Sequence, residues 1–130
     1  MTAQTSLTVQ EPTPSGHYIG SNGHNAFQDM LAAVRETALN TVGDFDAHAV
    51  YANRIVDMAR NVVKTGEAID SLKASQPEGG DEFTTDLIRM AHGRQNTWAY
   101  AVAAMVGADS HKIAPCDMIA LSAYLVALAG

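Results

Sequence analysis

His48 follows two acids, Asp44 and Asp46, at what reads as the start of a long helix. An imidazole beside carboxylates can ligate a metal or serve as a general base. Asp46 and His48 stand two apart, however, and so do not share a helix face. The expected role of His48 is that of a partly buried side chain bonded to a neighbour. Arg94 interrupts an otherwise apolar stripe. Such an arginine either snorkels past the core or pairs with a carboxylate across helices, where it fixes register. Gly16-His17 and Gly23-His24 repeat after seven residues. Histidines on a glycine-rich loop can bind a transition metal, but a flexible loop preorganises such a site poorly. Cys116 follows Pro115 at a helix start, a position that can activate a thiol. Its only nearby base in sequence is His111, and with one cysteine there is no redox pair. A structural cysteine is the expectation.

Other helical chemistries lack their residues. Di-metal carboxylate bundles need Glu-x-x-His on two helices, and the chain has no such pair. His-Glu-x-x-His and the phosphate-binding glycine loop are also missing. Covalent haem needs Cys-x-x-Cys-His, which a single cysteine rules out. No catalytic residue, metal ligand or cofactor is therefore assigned, and the balance favours a protein that is not an enzyme.

The elements that would position these residues are helical. The chain has 130 residues, one domain's worth, with 47% hydrophobic and 17% charged residues. That apolar share is too high for a disordered chain. Alanine occurs 22 times while aromatics make up 6%. Small helix-forming residues suit close-packed helices better than a β-sandwich. The predicted fold is all-α, a single-domain bundle of about four helices (25–130) behind an extended N-terminal arm (1–24).

In the arm, Pro12, Pro14, Gly16, Gly20 and Gly23 break regular structure, and Leu7 and Val9 alternate with polar residues. A short strand of that kind needs an edge to pair with, so the arm is expected to tether a neighbouring chain. The first helix spans about 25–40, with Phe27, Met30, Leu31, Val34, Ala38 and Leu39 on one stripe. The second spans about 44–73. Its seam of Phe45, His48, Ala52, Ile55, Ala59, Val62, Gly66 and Ile69 steps by three and four, as helices crossing at about 20° require. Pro77-Glu78-Gly79-Gly80 breaks the chain, and a third helix starts near Asp81. Its core stripe is predicted as Phe83, Leu87, Met90, Ala91, Arg94, Trp98, Ala101 and Met105. Pro115 opens the last helix.

Residues 98–106 and 116–129 are apolar on almost every side. A helix apolar all round is buried all round. Either the first helix covers these stretches or a second copy of the chain does, and the second copy is the expectation. The predicted interface comprises Leu7 and Val9 of the arm with Met118, Leu121, Tyr124, Leu125 and Leu128 of the last helix. The apolar run of that helix, about 12 residues, falls short of the roughly 20 that span a bilayer.

The net charge of −6 argues against duplex binding, which rests on cations placed against phosphates. Arg54, Arg60, Lys64 and Lys73 are too widely spread to form a basic stripe. The start of the chain lacks the basic and apolar regions of a signal peptide, so the expected setting is the cytoplasm or an assembled particle. The expected function is that of a non-enzymatic structural or assembly subunit, in a homo-oligomer or a larger particle such as a virion. The alternative is a small-ligand binder or enzyme with a pocket lined by His48, Tyr51, Arg94, Trp98 and Tyr100. A cavity holding both His48 and Arg94 would favour the alternative.

Overall fold

A computed structural model describes residues 9–17, 23–41 and 47–130 of the chain. The fold is all-α, and no strand occurs among the described residues. Its four helices are α1 (Gly23–Asn40), α2 (Ala47–Ser75), α3 (Glu82–Met105) and α4 (Pro115–Ala129), with a short 3-10 turn at Ser110–Lys112. No described helix is long and apolar enough to cross a membrane.

Local chemistry sets the boundaries. Gly79 and Gly80 both take left-handed backbone conformations (φ 84° and 76°), which side-chain-bearing residues rarely adopt. Together with Pro77 they reverse the chain between α2 and α3. Asp81 then caps α3 by accepting a hydrogen bond from the Thr84 N–H at 2.8 Å. That bond favours the ionised carboxyl and lowers its pKa below the ordinary 3.8. At the far end Gly107 (φ 80°) lets Ala108 N–H reach the Ala103 carbonyl at 2.9 Å and Gly107 N–H reach that of Ala104 at 3.1 Å. This paired closure satisfies carbonyls that the helix end would leave open. Pro115, in the first turn of α4, needs no N–H partner there.

α2 and α3 form a long antiparallel hairpin. Three contacts give its register: Tyr51 Oη donates to the Met105 carbonyl at 3.2 Å, Gln95 Nε2 to the Val62 carbonyl at 3.3 Å, and Gln76 Nε2 to Thr85 Oγ1 at 3.0 Å. The predicted seam of α2 is the buried one, with Ala52, Ile55, Ala59, Val62 and Ile69 inside. His48 departs from it and is exposed, while Phe45 lies outside the described residues. Gly66 stays in the seam because a Cβ there would stand 2.8 Å from Gln95 Nε2.

The predicted stripe of α3 requires correction. Its buried residues are Gln95, Ala99, Val102 and Ala103, not Phe83, Met90 or Arg94. Phe83 and Met90 are 73% and 67% exposed. Where α3 faces the other helices its buried residues are mostly small, with Trp98 and Met105 half-buried at their edge, whereas Phe83 and Met90 lie on the stretch that α4 does not reach. α4 accounts for this, because it packs against α1, α2 and α3 alike and fills the centre itself. Met118, Leu121 and Leu125 are fully buried, as are Phe27, Met30 and Val34 of α1. The covering of residues 98–106 and 116–129 therefore comes from within the chain, with α1 supplying what was expected of a second copy.

The arm is corrected in the same sense as far as it is described. Residues 9–17 lie against their own bundle. Val9 packs on the core, Glu11 pairs with Arg35 of α1, and Ser15 donates to Asp117 of α4 through both its N–H and its hydroxyl, each at 3.1 Å. Leu7 lies outside the described residues.

The helices differ in length, and that difference positions the rest. α2 has 29 residues and α4 has 15, about 43 and 22 Å. Beyond Val62 only Ile69 of α2 is buried, and before Gln95 no residue of α3 is. The distal part of the hairpin thus projects about 20 Å past the four-helix region.

Candidate interaction surface

The residues singled out for a ligand pocket do not converge. His48 and Tyr51 line a recess of about 170 Å³ with Glu36, Thr37 and Asn40 of α1. Ligand pockets run from about 300 Å³ upward. Tyr51 is half-exposed, and its hydroxyl is occupied by the Met105 carbonyl. Arg94 and Trp98 lie elsewhere, on a hollow of about 600 Å³ with Asn61, Thr65 and Thr97. Since Met105 neighbours Tyr51, Arg94 is about 16 Å further along α3. Tyr100 is 39% exposed and lines neither site. The joint site of His48 and Arg94 does not form.

Arg94 is exposed and has no ion pair among the described residues, so it is not the register-fixing partner of a buried acid. His17 and Cys116 are exposed. Among the described residues no three His, Cys, Asp or Glu side chains gather as a metal site would require.

The predicted interface residues of the last helix are core residues. Met118, Leu121 and Leu125 have no exposed surface, Tyr124 is buried, and only Leu128 reaches solvent, at 36%. They cannot offer a partner a docking face without the bundle opening.

A different surface emerges on the projecting hairpin. The Arg94 hollow runs into a second one of about 330 Å³, lined by Lys64, Ala68 and Leu72 of α2 and Leu87, Met90 and Ala91 of α3. Thr65 and Arg94 belong to both. Together they make an open groove along one side of the α2–α3 pair, with an apolar floor in its outer half and the cations Lys64 and Arg94 near where the two hollows meet. Phe83 stands at the outer end on the same stripe of α3. Asp86 flanks it, held 2.9 Å from Arg89 in an exposed pair.

The periodicity of Phe83, Leu87, Met90, Arg94 and Trp98 identified this stripe as apolar but assigned it to the core. One signal in the chain could have placed it outside. The first helix is much shorter than the second, and among the described residues α1 and α4, at 18 and 15 residues, leave one end of the 29- and 24-residue hairpin uncovered. Comparison adds no relative to this geometry: no family model, curated protein or solved structure matches the chain.

Proposed function

We propose that this protein is a non-enzymatic structural or assembly subunit that works through helix–helix contacts on its α2–α3 hairpin. One observation carries the proposal: the stripe of Phe83, Leu87 and Met90, spaced by four and three, is left uncovered, with Leu87 half-buried and Phe83 73% and Met90 67% exposed. Helices that bury such a stripe gain about 25 cal/mol per Å² of apolar surface. A neighbouring apolar helix is the natural cover, since 3–4 spacing matches the ridges of another helix. The assembly would be a homo-oligomer or a larger particle, a virion among the possible kinds. Its setting would be the cytoplasm or the particle itself. Residues 9–17 are engaged on their own bundle, so the contact is assigned to the hairpin.

The test is the mass of the full chain by light scattering, from about 1 µM to about 1 mM, the range of weak protein pairs. The expected result is a rise from 13.8 kDa with concentration. Phe83→Glu combined with Met90→Glu should keep the helical spectrum and melting temperature while holding the mass at one chain. A wild-type mass that stays at one chain throughout would overturn the proposal. So would a double variant that assembles as the wild type does.

A further inference from the structure

We infer that the hairpin stripe docks on the same stripe of a second copy, antiparallel, with a two-fold axis passing beside Met90. This rests on the assembly role proposed above and adds the partner and the register.

The stripe carries its own complement. Asp86 and Arg94 lie four residues to either side of Met90 and carry opposite charges. Phe83 and Trp98 lie seven and eight residues to either side, both aromatic. A parallel pairing would set Asp86 on Asp86 and Arg94 on Arg94, which repels. An antiparallel pairing centred on Met90 sets Asp86 of each copy against Arg94 of the other. The same register brings Phe83 of each copy to Trp98 of the other, a contact aromatic rings favour. A two-fold interface has this form: residue i meets j, and j meets i.

The single chain leaves these groups available. Arg94 has no ion pair among the described residues. Asp86 holds Arg89 at 2.9 Å, but the two are 50% and 73% exposed. An exposed pair of that kind contributes little and is readily shared or exchanged. Trp98 is half-buried, with its remaining face on the groove. Lys64, beside Arg94, adds a second cation at the end where the partner's Asp86 arrives.

The area sets the strength. A strip from Phe83 to Trp98 is about 22 Å long, and two helices are about 20 Å wide. Each chain would cover roughly 450 Å², about 900 Å² in all, which is the range of weak and transient pairs. The dimer should therefore depend on concentration.

Two measurements on the full chain with Cys116→Ser test the register. In the first, Met90→Cys and Phe83→Cys are compared under mild oxidation. Met90→Cys should cross-link to itself. Phe83→Cys should not, because the two copies of that position lie about 21 Å apart and a disulfide needs Cα atoms within about 7 Å. In the second, Asp86→Arg and Arg94→Asp are made singly and together. Each single change sets like charges against each other twice and should weaken dimerisation about tenfold or more. The double variant should return to within about threefold of the parent. Positions 86 and 94 are about 12 Å apart on one helix, so recovery has to come from the partner chain. If the mass rises with concentration but Phe83→Cys links to itself, or the double variant fails to recover, the register is overturned and the assembly role stands. If the mass never exceeds one chain, both fall.

Discussion

Asp117 is the only acidic or basic side chain among the buried described residues, 3% exposed at the first turn of α4. Two effects hold it. The helix N-terminus favours a negative charge there, and Ser15 gives it two hydrogen bonds from 102 residues away. The Ser15 hydroxyl also accepts from His17 N–H at 3.1 Å, which shapes the arm to make the contact. Ser15→Ala removes the hydroxyl and leaves Asp117 only the Ser15 N–H. The expected cost is about 1 kcal/mol, since the hydroxyl itself lies near the surface. Removing residues 1–17 takes both hydrogen bonds from Asp117, opens it to water and uncovers what Val9 covers, so its cost should be larger, roughly 2–4 kcal/mol. Urea unfolding of the two variants measures both. Equal and negligible losses would mean that the arm is not docked on α4. Ser122 needs no such help. It is fully buried, and its hydroxyl donates to the Met118 carbonyl one turn back at 2.8 Å.

Among the elements, α2 passes through two environments. Ile55 and Ile69 are both 3% exposed, but their surroundings differ. Ile55 belongs to the cluster formed with α1, α3 and α4, whereas Ile69 lies in the projecting part of the hairpin. Truncating a buried isoleucine costs about 2–5 kcal/mol, and the value depends on how far the site can collapse. Around Ile55, helices on several sides hold the cavity open. Around Ile69, two helices flanked by solvent can close on the gap. Ile55→Ala should therefore fall near the top of that range and Ile69→Ala near the bottom, as read by chemical denaturation. Equal losses would mean that the distal hairpin is as enclosed as the rest of α2. Gly66 has a separate, local cause: it sits where the Gln95 side chain crosses close to α2. Elsewhere on an uncovered helix, alanine would be the better residue.

At the scale of the molecule, stability is unevenly distributed. The four-helix region holds nearly all fully buried residues, and the projecting hairpin holds Ile69 alone. Segments with few buried contacts open locally at a lower free energy than the whole. Amide exchange in dilute solution should therefore be faster over 64–75 and 82–94 than over 116–128. Raising the concentration should slow exchange in the hairpin and leave α4 unchanged, because covering the groove protects only the segments that form it. Exchange that is uniform along α2 and α3 would contradict this division.

The sequence by itself determined where helices begin and end. Pro77, Gly79, Gly80, Gly107 and Pro115 act through backbone conformations that need no distant partner. It also determined the buried seam of α2, where one apolar stripe stands against polar flanks. It did not determine the facing of α3, which carries two apolar stripes, Phe83–Met90–Trp98 and Ala99–Val102–Ala103. Periodicity gives the spacing of a stripe but not which of two stripes turns inward. Beside α4 the tertiary structure turned Ala99, Val102 and Ala103 inward, while Phe83 and Met90 fell on the stretch of α3 that α4 does not reach. It likewise decided that α4 is covered by its own chain and that His48 and Arg94 stand apart. Those outcomes depend on how helices of unequal length stack, and no local run of residues encodes that arrangement.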